Sequence, residues 1–434
     1  MQFTYIELFS GPGGLSTGFR RAGFAPLISV EVSETTVKTY SSNYNVQVIK
    51  LSKLIENEGR LEAEFDYSTE GILIHGDVRQ VSNSIISEIL KKRYKLDTVD
   101  MIVGCPPCES FSMAGKRLEE DDRNDLFKEV LRVAYHLNAK IIFFENVKGL
   151  LTKKRYSEAG GQFKYLTENF EERDALTKVK YRLVSKDKTE ILLNAADYGV
   201  PQKRERIFLI GINEEYPDVN FKYPDKSHGT NEVGTVCINE AFYDLPQIIS
   251  GEGDDELDIE YTYKINNSLS KKQVDYMTSI ANDNKTGKIS SHKASKHKDY
   301  MVKRFSNIKQ GEGMQAAFKR LKEEGKDEIA VSLFPKKLFA ARGRRLVSTL
   351  PAFTVTSHCF DEMLHPYYDR ALTPREVARL QTFPDNYIFE GPYTAFHSSP
   401  IQDKYEQIGD AVPVLLAEKL GKELRKILDE IYKN

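Results

Sequence analysis

A chain of 434 residues, 40% hydrophobic and 11% aromatic, can build one large domain or two ordinary ones with sizeable cores. Four cysteines exclude a disulfide framework, no apolar run reaches the ~18 residues of a membrane span, and the N-terminus lacks the basic start of a signal peptide. A soluble, intracellular protein is expected, and with a net charge of −2 any basic surface for a nucleic acid has to be local.

Tyr5 to Phe9 reads as a first strand, and Ser10-Gly11-Pro12-Gly13-Gly14 as a tight turn into a helix over Leu15 to Ala22. Pro26 to Val30 is a second strand that ends at Glu31, followed by a helix from Ser33. This βαβ opening is of the nucleotide-binding kind, and an acid twenty positions after Gly11 suits a ribose hydroxyl pair. The spacing is not G-x-G-x-x-G, so a dinucleotide is the weaker reading, and a glycine turn without a ligand is about as common. Ile49 to Thr69 looks like a variable insertion. Gly71 to His75 resumes as a strand, with Asp77 at its end either accepting from an amino group or forming a turn.

Val99 to Val103 is an apolar run typical of a buried parallel strand. It runs into Gly104-Cys105-Pro106-Pro107-Cys108-Glu109-Ser110-Phe111-Ser112, where two prolines fix the backbone and present Cys108 as a candidate nucleophile. A lone cysteine is more often a structural thiol. The C-x-x-C spacing of Cys105 and Cys108 also fits a redox pair or zinc, although only Cys237 and Cys359 remain as further ligands. After a polar loop, Asp125 to His136 reads as a helix. Lys140 to Phe144 is another buried strand, and Glu145 at its end is a candidate general acid, or else a capping glutamate. Tyr181 to Leu193 and Arg206 to Ile212 read as a closing hairpin. Before the second arm, the alternation in Gln202-Lys203-Arg204-Glu205-Arg206 puts both arginines on one face of a strand.

From Asn213 to about Ala340 the segments are short and polar, with a locally basic stretch from Ser291 through His292 and His297 to Arg304. This span reads as a smaller inserted module. Thr373-Pro374-Arg375-Glu376 is a capping box with proline at the first helical position. Gly409-Asp410-Ala411-Val412-Pro413 opens a last helix whose Leu416, Leu420, Leu424, Ile427 and Ile431 form one apolar stripe, expected to pack back on the first sheet.

In this order the segments resemble the DNA cytosine-5 methyltransferase family of bacterial type. The resemblance rests on Phe9 to Gly14, Glu31, Gly76-Asp77, Pro106-Pro107-Cys108, Glu145-Asn146-Val147 and Gln202 to Arg206. Further on it rests on Arg345-Leu346 to Thr354, Arg379-Leu380-Gln381 with Phe383-Pro384-Asp385, and Gly409 to Pro413. The chain departs from the family pattern at Cys105, Glu109 and Asp410, where glycine, glutamine and asparagine are usual. None of the three removes a residue that does the chemistry, though Glu109 adds a carboxylate near Cys108 that would raise its pKa.

The resemblance implies an α/β fold: a Rossmann-like methyltransferase sheet with helices on both faces, plus a smaller inserted target-recognition domain. The chain is expected to divide into a catalytic part over 1–212, a recognition domain over 213–340, and 341–434 as the remainder of the recognition region and a C-terminal helix returning to the catalytic domain. It implies Cys108 as nucleophile, Glu145 on the base, and Arg204 and Arg206 as orienting groups. S-adenosyl-L-methionine, leaving as S-adenosyl-L-homocysteine, would lie against Phe9, Gly11, Pro12, Gly13, Glu31, Val32, Asp77, Val78, Pro107, Leu126, Asp410 and Val412, without a metal. The implied partner is double-stranded DNA, with a cognate restriction endonuclease as a possible companion. A cytoplasmic, nucleoid-associated monomer with no membrane association is expected. An RNA-directed member of the family and a thiol-disulfide oxidoreductase are the rival readings.

Overall fold

The computed structural model describes residues 2–107, 121–230, 233–257, 289–395 and 401–433, with a few positions between 271 and 280. These fall into two compact units. The first comprises Met1–Asn194, Glu205–Asp225 and Leu416–Asn434; the second comprises Ala195–Arg204 and Lys226–Leu415. No helix among the described residues is long and apolar enough to cross a membrane.

The first unit is built on a sheet that has nine strands among the described residues. They are β1 (Phe3–Leu8), β2 (Phe24–Glu31), β3 (Val46–Lys50), β4 (Gly71–His75), β5 (Met101–Gly104), β6 (Ile141–Val147), β7 (Tyr181–Leu183), β8 (Leu192–Asn194) and, after a short β9 (Gln202–Lys203) of the second unit, β10 (Glu205–Asn213). The order is β3-β4-β2-β1-β5-β6-β10-β7, with β8 also on β10. The first six in that order are parallel neighbours, and β10 is antiparallel to β6, β7 and β8. The chain steps outward from β1 through β2 to the edge strand β3, comes back to insert β4 between β3 and β2, then crosses to place β5 on the other side of β1. The β1/β5 boundary is therefore a topological switch point, where loops at the carboxyl ends of the strands leave a crevice. Strands such as Ile6, Ile28, Ile102 and Ile142 are wholly buried, as expected of a sheet covered on both faces.

The final helix, Val414–Ile431, buries the expected stripe: Leu416, Leu420 and Leu424 are fully enclosed, and Ile427 and Ile431 nearly so. Arg425 donates to the Ala22 carbonyl at 3.2 Å and the Tyr432 hydroxyl to Asp100 at 2.6 Å, so this helix seals the edge where β1 begins.

The second unit holds short ladders, β11 (Gly253–Leu257) with β12 (Ile289–Lys293), β13 (Arg344–Arg345) with β15 (Met363–Leu364), and β14 (Ala352–Phe353) with β9. Helices Asp299–Ser306, Met314–Glu323 and Asp327–Leu333 enclose a small core around Phe305, Met314, Leu321 and Phe334. Buried arginines take the place of a larger apolar core. Arg370 grips Glu376 through both oxygens at 2.7 and 2.8 Å, and Arg379 holds Asp385 at 2.6 Å. The capping box forms as read: Thr373 Oγ1 accepts from the Glu376 amide at 3.2 Å, and Glu376 Oε2 accepts from the Thr373 amide at 2.8 Å.

Several expectations are corrected. The supposed insertion after Ile49 continues an edge strand, β3, and a helix, Leu51–Glu56; the polar residues between Val46, Val48 and Ile49 hid a strand with one exposed side. By its contacts the second unit comprises Ala195–Arg204 and Lys226–Leu415, set beside an expected recognition region of 213–340 with its remainder after 341. His292 adds no basic surface: it is buried between the Thr373 hydroxyl (3.0 Å) and the Pro246 carbonyl (2.9 Å), and burial lowers its pKa.

Candidate active site

The turn after β1 is forced by its own backbone. Phe9 has φ 62°, Gly11 55° and Gly13 90°, three left-handed residues within five positions. Such values are costly for a side-chain-bearing residue like Phe9 and are typical of a strained functional turn. Gly13 leads directly into helix Gly14–Arg21, whose first amides face the turn. The Tyr44 hydroxyl and Thr17 Oγ1 both donate to the Gly13 carbonyl at 2.8 Å and hold it from behind.

Glu31, at the end of β2, closes the other side. Its Oε2 accepts from the Gly11 amide at 2.9 Å, and its Oε1 from the amides of Val32 (2.9 Å) and Ser33 (2.8 Å). A carboxylate offers about four acceptor sites, so this one is locked in place with capacity left for a hydroxyl. Burial raises its pKa, and the three amides offset only part of that rise. Val32 beside it is 65% exposed, an apolar surface with nothing of its own to cover. At the end of β4, Val78 is buried and Asp77 caps a short turn through the Arg79 amide at 2.9 Å. The Arg79 guanidinium also grips the Asp77 carboxylate and holds its pKa below the ordinary value, so the turn-forming reading of Asp77 is realised.

Two features show that this turn fits a bound small molecule. Ser10 Oγ is buried without a hydrogen-bond partner, a costly arrangement unless a ligand completes it. A Cβ built on Gly11 would meet no atom within 4 Å, so a cradle lies open above the turn. A nucleoside whose ribose reaches Glu31 and whose ring covers Val32 matches this donor set.

The residues expected to carry the chemistry lie at or beside the ends of β5 and β6. Cys108 and Glu109 lie outside the described residues, whose last position before them is the exposed Pro107. Pro106 is fixed: the Asn146 side chain donates to its carbonyl at 3.3 Å while Asn146 Oδ1 accepts from the Val147 amide at 2.9 Å. Asn146, fully buried, is thus a positioning residue for the loop that leads to Cys108. Sequence reading passed over it because its neighbour carries the charge. Glu145 is 8% exposed, and its Oε1 lies 3.3 Å from Nε of Arg206, which sits opposite Val147 on β10. Cys105 is held as a neutral thiol, its pKa pushed well up by burial and by Glu145 and Glu7. Leu126, ahead of helix Phe127–Leu137, is buried.

Arg204 departs from expectation. The strand breaks at Arg204, so the two arginines do not share one strand face. Arg204 belongs to the second unit, where its Nη1 donates to the Val355 carbonyl at 2.6 Å and its Nη2 to those of Gly409 (2.9 Å) and Ala411 (3.0 Å). These bonds pull it out of the ladder and make it a positioning residue for the 409–411 segment. Asp410 is exposed there, Val412 is buried, and a Cβ at Gly409 would lie 2.3 Å from the Thr356 carbonyl oxygen, so only glycine fits.

Comparison with known proteins places these features in company. The model of the C-5 cytosine-specific DNA methylases matches residues 3–76 and 72–426. Type II methyltransferase M.DdeI of Desulfomicrobium norvegicum is 31% identical over 98% of this chain and 89% of its own length. Type II methyltransferase M1.HphI of Haemophilus parahaemolyticus is likewise 31% identical, over 98% of this chain and 88% of its own. A solved prophage-encoded DNA modification methyltransferase from E. coli superposes with a TM-score of 0.62 at 24% identity, covering 99% of this chain and 100% of that one, which shows the fold.

Proposed function

The chain belongs to the C-5 cytosine-specific DNA methylase family, and from that premise we propose that it methylates carbon-5 of a cytosine flipped out of a specific site in duplex DNA, through a covalent bond to Cys108. A base stacked inside a duplex exposes neither face to a nucleophile, so it has to swing out. Cys108 then attacks carbon-6. Glu145, held by Arg206, binds ring nitrogen 3 and the exocyclic amine, which drains charge from the ring as the carbon–sulfur bond forms. Carbon-5 becomes the nucleophile; after transfer its proton leaves and the Cys108 thiolate is expelled.

S-adenosyl-L-methionine supplies the electrophilic methyl group. Within the first unit Glu31 orients the ribose, Val32 and Val78 flank the adenine, and the Ser10 hydroxyl and the turn amides meet the amino-acid end. Asp77, engaged through both oxygens by the Arg79 amide and guanidinium, would have to share an oxygen with Arg79 to accept from the adenine amine. The second unit is the recognition domain. Together with the type II relatives, this supports a cytoplasmic modification enzyme acting on DNA, with a restriction endonuclease as its counterpart.

The observation that carries the reading is the Glu145–Arg206 pair beside an Asn146-pinned Pro106, next to the segment bearing Cys108. Duplex DNA containing 5-fluorocytosine, incubated with protein and S-adenosylmethionine, is expected to form an adduct on Cys108 detectable by peptide mass spectrometry. Absence of that adduct, or methyl transfer to tRNA alone, overturns the proposal.

A further inference from the structure

Beneath the glycine turn lies a carboxyl group that the reaction does not use. Glu7, on β1, is 1% exposed. Ser16, in the first turns of helix Gly14–Arg21, donates its hydroxyl to Glu7 Oε2. The Ser16 oxygen lies 2.9 Å from the Tyr40 hydroxyl, which lies 3.1 Å from Ser29 Oγ on β2. Each hydroxyl has one proton to give. Since Ser16 spends its proton on Glu7, Tyr40 donates to Ser16 and Ser29 to Tyr40. A single directed chain therefore joins β1, the helix after the glycine turn, the helix after Glu31, and β2. These are the elements that carry both walls of the cradle.

The charged surroundings are specific. Tyr5 faces Glu7 from the same strand, Arg20 and Ser16 from the first helix, Tyr40 from the second, Glu31 from β2, and Cys105 from beyond β5. Arg20 acts only at a distance, for its guanidinium pairs with Glu70 at 2.9 Å. No ion pair reaches Glu7 among the described residues. Glu31 on the far flank of the turn repels a second negative charge, and two neighbouring buried carboxyls do not ionise together cheaply.

We propose that Glu7 is a positioning residue for the cofactor: as a neutral acid it anchors the glycine turn through Ser16 and Tyr40 and leaves Glu31 free to carry the charge that meets the ribose. When Glu7 ionises, the buried charge opposes Glu31 across the turn and pulls harder on the Ser16 hydroxyl, which shifts that helix from its set position, and the cradle is distorted. Burial pushes its pKa up to about 8, which places this change within reach of ordinary buffers. The inference rests on the S-adenosylmethionine reading of the turn.

The test is calorimetric binding of S-adenosylhomocysteine to the full chain at about pH 7 and about pH 9.5, on either side of the raised value. Wild-type affinity is expected to fall by about tenfold over that interval, a typical coupling between two sites. Glu7→Gln, which mimics the neutral acid, is expected to hold its affinity at the higher pH. Tyr40→Phe, which cuts the chain in the middle, is expected to weaken binding at both. Infrared difference spectra of the unliganded protein should show a protonated carboxylic acid band at pH 7 that Glu7→Gln removes. A flat wild-type profile, a variant that keeps the wild-type slope, or no such band overturns the role of Glu7 alone. Failure to bind at pH 7 removes the cofactor reading as well.

Discussion

Glu7 in the first unit and Glu376 in the second are each 1% exposed, yet their environments drive them in opposite directions. Burial pushes both carboxyls up. At Glu376 the Arg370 guanidinium, bound through two nitrogens, outweighs burial and holds the group far below its ordinary value. At Glu7 the Ser16 and Tyr40 hydroxyls and the more distant Arg20 oppose burial without a direct ion pair, and burial prevails. The second unit uses permanent charge as an internal skeleton, whereas the first holds beneath its glycine turn a carboxyl whose pKa burial raises. A buried carboxyl is thus a strut or a tunable element according to whether a guanidinium meets it.

Glu145 is the third case, enclosed at 8% exposure with Nε of Arg206 lying 3.3 Å from its Oε1. Glu145→Gln is expected to lower methyl transfer by about 10²–10⁴-fold, the range for a lost general acid–base group, with S-adenosylhomocysteine affinity unchanged. Single-turnover methylation and calorimetry read the two effects. If affinity fell with rate, Glu145 would be a strut after all.

Arg370→Met strands Glu376 as an uncompensated buried charge and is expected to cost about 3–5 kcal/mol in urea unfolding. The pH dependence sharpens the contrast. Glu376 has a depressed value in the folded state, so its contribution is present above the ordinary carboxylate value and lost as pH falls through the acid range. Glu7 has a raised value: there is no penalty below about 4.5, and stability is lost as pH climbs from there to about 8, where the folded protein also ionises. Urea midpoints of Glu7→Gln and wild type should therefore diverge between those limits, with the variant the more stable at the upper one. Parallel curves would show that Glu7 is charged in the folded protein.

The smallest effect concerns the cap of helix Pro374–Leu380. Thr373→Ala removes the bond to the Glu376 amide and is expected to cost about 1 kcal/mol, and up to ~2. The upper figure is favoured because Thr373 also meets His292. A melting temperature unchanged from wild type would show that the Arg370–Glu376 pair fixes this helix without its cap.

How much was legible follows the physics. Local signals with short reach were read correctly: the buried strands, the glycine turn, Glu31 at the end of β2, the capping box of Thr373 and the apolar stripe from Leu416 to Ile431. Each depends on periodicity or on residues a few positions apart, which the sequence carries directly. Edge strand β3 was hidden because one of its sides faces solvent and blurs the apolar pattern. What the tertiary structure decided involves partners far apart in the chain. Arg204 looks like the twin of Arg206 by alternation, but carbonyls more than 150 positions away, at 355, 409 and 411, draw it into the other unit. Glu7 reads as an ordinary strand residue until Ser16, Tyr40 and Ser29 close around it. A side chain's charge state and role depend on the dielectric and the donors about it, and those exist only once the chain has folded.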